Sequence, residues 1–192
     1  MVVLALSAAY VLVGSTGLST RWVIPGVLVA LLLYAFLVLG RRGERWKDFG
    51  VRIDNLRESM VPAAIWTLLA GGGIVLWAWA RGQALWRPEV TAMLPLYPIW
   101  GVVQQLIFQG ILHRRWLVLV RDPLAALLLT ALVFGLVHWG DWRLVALAAA
   151  AGAVWAWLFQ RWPNVWALGA SHGILAALTY PLLLAQNPLE HL

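Results

Sequence analysis

The chain contains no cysteine, which excludes disulfide bridges and thiol catalysis and leaves the redox compartment unspecified. Charge is also scarce: 11% of the residues are charged, 62% are hydrophobic, and the mean hydropathy is +0.81. A soluble domain of 192 residues needs more polar surface than this to cover its core. The composition therefore predicts an integral membrane protein.

The excess of positive charge, +6 at pH 7, does not indicate a nucleic-acid partner. Lysine and arginine are spread over short loops between apolar runs instead of forming one basic patch. The positive-inside rule accounts for that distribution, and the fourteen tryptophans fit anchors at the level of the lipid headgroups. His113, beside Arg114 and Arg115, is expected to be another surface anchor. The expected partner is the lipid bilayer, with no nucleic acid.

Seven apolar segments approach the roughly 20 residues that a membrane-spanning helix needs. They cover residues 2–19, 22–40, 60–80, 95–113, 122–139, 143–159 and 165–185. We interpret the first as a retained span, because its basic residue follows it instead of preceding it. The fold prediction is an all-α, polytopic helix bundle of about seven transmembrane helices.

This pattern of apolar and polar segments divides the chain into three parts. Residues 1–94 hold the N-terminal spans and a basic amphipathic connector at 41–59, residues 95–185 hold a core of four spans, and residues 186–192 form a polar tail. The lysine and arginine counts of the loops place the amino terminus in the cytoplasm. We expect a prokaryotic plasma (inner) membrane.

Amide and imidazole side chains lie within the apolar segments of the core, and five of them are candidates for a functional site. They are Gln104, Gln105, Gln109, His138 and His172. Polar groups in hydrocarbon are costly unless they find partners, so they usually face the interior of a bundle and often mark function. The sequence predicts that three helices direct these side chains toward one shared pocket. The simpler alternative is hydrogen bonding that holds helices together.

The chemistry open to this set is narrow. A neutral imidazole can act as a general base or donate a hydrogen bond to a developing oxyanion, whereas a carboxamide cannot take up a proton near neutral pH. No carboxylate accompanies these side chains within the apolar interior of their spans. Two histidines and glutamines are a poor ligand set for zinc, so we predict no metal site and no cofactor.

Residues 95–185 resemble the CPBP family of intramembrane proteases, which includes the Rce1-like CAAX prenyl endopeptidases and bacteriocin-processing members. The family has three motifs, Glu-Glu-x-x-x-Arg, Phe-x-x-x-His and His-x-x-x-Asn or Asp. The corresponding positions here, in order, are Gln104, Gln105 and Gln109, then Phe134 and His138, then His172 and Ala176. The flanking segments 47–52 and 161–166 are also similar to the family's.

The resemblance implies an intramembrane endopeptidase that processes a membrane-anchored protein or peptide. It implies that Gln104 occupies the position of the catalytic glutamate and Gln105 the neighbouring position, that His138 holds the attacking water, and that His172 faces the oxyanion. Supporting or substrate-binding positions would be Gln109, Phe134 and Ala176.

Two functions stay open at this level. Because glutamine is not a general base, an active enzyme requires His138 to replace the glutamate, with Gln104 and Gln105 orienting the water. The alternative is a catalytically inactive pseudoprotease that binds a membrane client in immunity or protein sorting. The glutamines fit either a diverged lineage or a deliberate Glu-to-Gln inactivation. A small carrier or channel has the least support, since there is no charged intramembrane relay and no evident repeat.

Overall fold

The structure is a computed structural model that describes residues 43–191 and, before them, only Val29, Leu33, Tyr34, Phe36 and Leu37. Apart from those five residues, the spans predicted at 2–19 and 22–40 lie outside the described part of the chain.

From residue 43 onward the secondary structure is helical. The α-helices are α1 (Leu56–Ala80), α2 (Pro88–Gln105), α3 (Arg114–Val120), α4 (Pro123–Leu136), α5 (Trp142–Arg161) and α6 (Val165–Leu178). A π-helical segment, Leu106–His113, joins α2 to α3, and a second one, Thr179–Leu184, follows α6. Short 3-10 helices cover Trp46–Phe49 and Pro188–His191.

Four helical stretches in the described residues are long and apolar enough to cross a bilayer. They are Leu56–Ala80, Pro88–Val120, Trp142–Arg161 and Val165–Leu184. The predicted all-α class is therefore confirmed, and these spans indicate an integral membrane protein. The second stretch is longer than predicted, because the proline at the first helical position starts it at residue 88 and the π segment continues directly into α3.

The helix expected at 122–139 is shorter than predicted. It covers Pro123–Leu136, 14 residues, or about 21 Å at 1.5 Å per residue, against a hydrocarbon core of about 30 Å. Residues 137–140 form a turn, and Gly140 has φ +117°, a conformation that L side chains rarely adopt. The apolar run at 122–139 is therefore longer than the helix that forms within it.

The chain folds as two compact units. Among the described residues, the first comprises those up to Phe49 together with Ile107–Trp157, and the second comprises Gly50–Leu106 and the residues from Leu158 onward. In the second unit α6 is the central element, because it packs along both α2 and α1.

Glycine allows α2 and α6 to touch backbone to backbone. A Cβ added at Gly173 would lie 2.2 Å from the Pro98 nitrogen, and one at Gly101 would lie 2.4 Å from the Gly169 carbonyl oxygen. At Gly169 it would lie 2.5 Å from the Val102 Cα. Small residues at helix interfaces give membrane helices this kind of close packing.

The N-terminus of α6 is held by one asparagine. The Asn164 Oδ1 accepts two backbone N–H groups of the first turn, and its Nδ2 donates to the Arg52 carbonyl at 2.8 Å and to the Asn55 Oδ1 at 2.9 Å. The Val165 N–H donates to the Gly50 carbonyl at 2.9 Å. Segments 47–52 and 161–166, which the sequence analysis singled out, are therefore joined to each other by hydrogen bonds.

Phe134 is the centre of the first unit's core. Its ring meets those of Phe108 and Trp155 edge to face, with centroids 4.9 Å and 5.8 Å apart. A Cβ at Gly152 would lie 3.0 Å from the Phe134 Cδ1, so glycine there leaves space for the ring. These contacts fix the last turns of α4.

His113 is buried, so the expectation of a surface anchor is wrong. Its Nδ1 lies 2.9 Å from the Thr130 Oγ1 on α4, within hydrogen-bonding distance. His113 is buried because it belongs to the π segment, where it is the last of six consecutive buried residues. The burial ends there, since Arg114 and Arg115 are half-buried.

The connector is tied to α3 by charged groups. Both oxygens of Glu44 accept from the Arg115 guanidinium, at 3.0 Å and 2.7 Å, a bidentate geometry. The Arg114 guanidinium donates to the Asp48 carbonyl. The Arg45 backbone N–H, which donates to the Asp48 carboxylate, lowers the pKa of that carboxyl.

Replacing Gly173 by alanine is expected to separate α2 from α6. The added methyl would meet backbone atoms, which cannot rotate away as a side chain can, and overpacking of this kind costs about 1–3 kcal/mol or more. Thermal unfolding of the purified chain in detergent measures the loss. Gly72→Ala is the matched control, because a Cβ there meets nothing within 4 Å and alanine favours the helix. Equal stability of the two variants would contradict the packing described above.

Candidate functional site

In the second unit, Gln105 and His172 are joined by a hydrogen bond between α2 and α6. The Gln105 Nε2–H donates to the His172 Nδ1 at 3.3 Å, and both side chains are buried, with 0% and 7% of their surface exposed. Gly101 lies one turn before Gln105, and Gly173 directly follows His172. The close backbone contact therefore lies beside the polar pair and brings it within bonding distance.

This hydrogen bond corresponds to one tautomer of His172. A carboxamide nitrogen is a donor only, so the Nδ1 that receives it carries a lone pair, and the proton of the neutral ring lies on Nε2. In that tautomer the N–H of the ring is at Nε2. The Oε1 of Gln105 is buried and has no hydrogen-bond partner in the described part of the chain.

In the first unit, His138 has the opposite tautomer. Its Nδ1–H donates to the Phe134 carbonyl at 2.8 Å. That carbonyl is one of the acceptors left over at a helix C-terminus, because the His138 backbone N–H bonds to the Gly135 carbonyl instead. The neutral ring then keeps a lone pair on Nε2, which can accept a proton. Phe134 also supports the ring directly, with centroids 5.3 Å apart.

The other site residues suggested by the sequence have distinct environments. Gln109 is fully buried in the π segment, and neither carboxamide atom has a hydrogen-bond partner among the described residues. Gln104 and Ala176 are half-buried. Across 106–113 the backbone bonds run from i to i+5, so the spacing of side chains there differs from that of an α-helix. Such segments occur frequently at functional sites.

One contact beside His172 was not anticipated. Thr67 on α1 and Ser171 on α6 are joined by a hydrogen bond of 2.7 Å between their hydroxyl oxygens, and Thr67 also bonds to the Ala63 carbonyl at 2.7 Å. Hydroxyl residues are scarce in these apolar helices, so Thr67 and Ser171 could each have been singled out from the sequence. Their pairing across 104 positions depends on packing that periodicity does not specify.

Comparison with protein-family models gives one match. Residues 86–178 match the model described as "Type II CAAX prenyl endopeptidase Rce1-like", and this range includes all seven candidate site residues. Neither the curated proteins nor the solved structures gave a match.

Replacing Gln109 by methionine is expected to stabilise the protein. A buried polar group without a partner costs about 1–3 kcal/mol, and methionine fills a similar volume without polar hydrogens. Chemical or thermal unfolding in detergent measures the gain, and Gln104→Met, at a half-buried position, is the control with a smaller expected effect. A Gln109→Met protein less stable than the wild type would show that the carboxamide has a stabilising partner.

Proposed function

The chain is a member of the Rce1-like CAAX protease family through its domain at residues 86–178, and from this premise we propose that it is an intramembrane endopeptidase. The family implies a protein substrate. The substrate that we propose is a membrane-anchored protein or peptide, cleaved near one terminus. The observation that carries the proposal is the pair of hydrogen bonds at the Nδ1 atoms of His138 and His172, which correspond to a lone pair on the His138 Nε2 and a proton on the His172 Nε2.

These tautomers match the two tasks of peptide hydrolysis. A general base must accept a proton from water, and the His138 Nε2 carries an imidazole lone pair of suitable basicity. An oxyanion needs a donor at the place where its charge develops, and the His172 Nε2–H is such a donor. Since glutamine cannot be the base, His138 takes over that role.

The reaction then balances as an ordinary hydrolysis. The His138 Nε2 takes one proton from water as the water oxygen bonds to the scissile carbonyl carbon. The carbonyl π electrons move to its oxygen, which the His172 Nε2–H stabilises. Collapse of this intermediate breaks the C–N bond, and the proton held by His138 passes to the leaving nitrogen. The products are a carboxylic acid and an amine.

The remaining motif positions take supporting roles in this proposal. Gln104 and Gln105 orient the water and the oxyanion donor, Phe134 positions His138, and Gln109 binds a polar group of the substrate or a water. Ala176 offers no donor where the family has asparagine or aspartate. The loss of a donor at that position lowers rates by about 10²–10³, so slow turnover is expected.

The membrane setting follows the charge pattern. We propose about seven spans, an amino terminus in the cytoplasm and a prokaryotic plasma membrane. Arg114 and Arg115 lie near the end of a long apolar stretch and pair with the connector at Glu44, which supports a basic, cytoplasmic end for that stretch.

A second candidate function is a pseudoprotease that holds a membrane client without cutting it. The observation that favours it is the presence of glutamine at both glutamate positions of the first motif. Binding of a peptide at saturating concentration with no cleavage over long incubation would support this candidate and contradict the enzyme.

Cleavage of membrane peptides by the full chain in lipid nanodiscs tests the enzyme directly. His138→Ala is expected to lower turnover by about 10²–10⁴, the usual contribution of a general base. His191→Ala is the matched control, because it lies in the terminal 3-10 helix outside the matched domain. Unchanged turnover in His138→Ala would exclude the base proposed here, and supplying each peptide with and without a prenyl group identifies the anchor.

Restoring a carboxylate at the first motif position is expected to accelerate the enzyme. Gln104→Glu supplies a general base where the family has one, and a gain of about 10² or more in kcat follows if the base limits the rate. The same peptides and nanodiscs measure it. A Gln104→Glu protein that binds the peptides without any gain in cleavage would contradict the assignment of this position.

A further inference from the structure

We propose that a cavity in the second unit binds the headgroup of a phospholipid that carries a primary ammonium, a phosphatidylethanolamine. The cavity has a volume of about 470 Å³ and lies between the start of α2 and the segment after the second π helix. Its polar lining consists of Arg87, Glu89, Gln186 and Asn187. Glu89 and Gln105 lie at opposite ends of α2, about 24 Å apart at 1.5 Å per residue, so the cavity is separate from the candidate site.

Arg87 forms the basic side of the cavity. Its guanidinium donates to the Pro181 carbonyl at 3.1 Å, to the Ala84 carbonyl at 3.1 Å and to the Gln83 Oε1 at 3.3 Å. These acceptors are neutral, and no acidic side chain in the described part of the chain forms an ion pair with Arg87. A guanidinium has five N–H groups, so two are left over for the oxygens of a phosphate.

Glu89 supplies the opposite charge. Its side chain is half-buried, and its carboxylate makes no hydrogen bond or ion pair with any residue that the structure describes. A charge that is partly removed from water without a partner is costly. A ligand with both charges, its phosphate toward Arg87 and its ammonium toward Glu89, provides a partner for each side chain. The cavity therefore favours a zwitterion.

The lining favours a primary ammonium over a quaternary one. Proteins recognise quaternary ammonium groups with aromatic cages, and no aromatic side chain lines this cavity. A primary ammonium instead donates hydrogen bonds, which the Glu89 carboxylate and the carboxamide oxygens of Gln186 and Asn187 can accept. A headgroup with a phosphate and no ammonium would bring a second negative charge toward Glu89. These features distinguish phosphatidylethanolamine from phosphatidylcholine and phosphatidylglycerol.

The two sides of the cavity are bonded to each other. Arg87, directly before α2, donates to the carbonyl of Pro181 in the π helix after α6. That π helix ends at Ala185, whose φ of +55° turns the chain, and the Gln186 N–H donates back to the Tyr180 carbonyl at 2.9 Å. The cavity is thus formed by the resting protein, which lowers the entropic cost of binding.

The cavity lies at the level of the lipid headgroups. The apolar stretch Pro88–Val120 begins beside it, and the apolar stretch Val165–Leu184 ends beside it. Trp86, directly before Arg87, is 80% exposed, as expected of an anchor at the membrane–water interface. A headgroup bound here leaves its acyl chains free to extend along the apolar surface of these stretches. The geometry therefore favours a lipid over a free small molecule.

Native mass spectrometry of the full chain in detergent tests the proposal, with phospholipids of identical acyl chains as probes. The wild type is expected to bind phosphatidylethanolamine about tenfold more tightly than phosphatidylcholine or phosphatidylglycerol, the contribution of one hydrogen-bonded charge pair. Glu89→Gln is expected to remove this preference. Glu58→Gln is the matched control, because Glu58 also lies in the first turn of a helix but does not line the cavity, and it is expected to keep the preference.

A methylation series on the wild type decides even if Glu89→Gln does not fold. Affinity is expected to fall from phosphatidylethanolamine through its monomethyl and dimethyl derivatives to phosphatidylcholine, because each methyl group replaces a hydrogen-bond donor. Equal affinities along the series would overturn the proposal, as would a preference for phosphatidylglycerol or a folded Glu89→Gln protein with unchanged selectivity. Displacement of the lipid by an equal concentration of soluble phosphoethanolamine would assign the cavity to a free zwitterion and contradict the lipid.

Discussion

The direct contact between the backbones of α2 and α6 is the constraint on which the second unit depends. Gly101, Gly169 and Gly173 leave no space for a Cβ, and the two helices can approach only because all three are glycine. A longer interhelical distance would break the Gln105–His172 hydrogen bond, which spans 3.3 Å at this crossing. Dispersion and shape matter more here than the hydrophobic effect, since lipid is as apolar as the helices themselves. The hydrogen bond between Gln105 and His172 thus depends on helix packing.

The apolar runs were sufficient to predict the fold class and the approximate positions of the described spans. They were not sufficient for the ends of the helices. The helix that ends at Leu136 stops inside an apolar run because of a turn at Gly140, and the π segment at 106–113 has no signal in its composition. Hydropathy reports which residues tolerate lipid, whereas the length of a helix also depends on local backbone geometry. The two N-terminal spans remain predictions.

The sequence alone was sufficient to single out the candidate site residues, because polar residues are rare within apolar segments. It was not sufficient to predict which residues these side chains contact. His113 seemed to belong with the neighbouring arginines, yet it is buried against Thr130, and the contact of Thr67 with Ser171 joins residues far apart in the chain. The hydrogen bonds of His138 to the Phe134 carbonyl and of His172 to the Gln105 carboxamide join groups that the sequence alone does not pair. A neutral site of this kind avoids a stranded charge in low dielectric, at the cost of carboxamide atoms without partners.

The central proposal, which follows from the family's motifs, is that His138 and His172 serve one reaction, one as the base and the other as the oxyanion donor. A double-mutant cycle on kcat/KM for a cleaved membrane peptide tests it most directly, with His138→Ala, His172→Ala and the double variant in nanodiscs. Groups that act in the same transition state are strongly non-additive, so the double variant is expected to be about as slow as the slower single variant. Losses that multiply, or cleavage that none of the variants changes, would contradict the account.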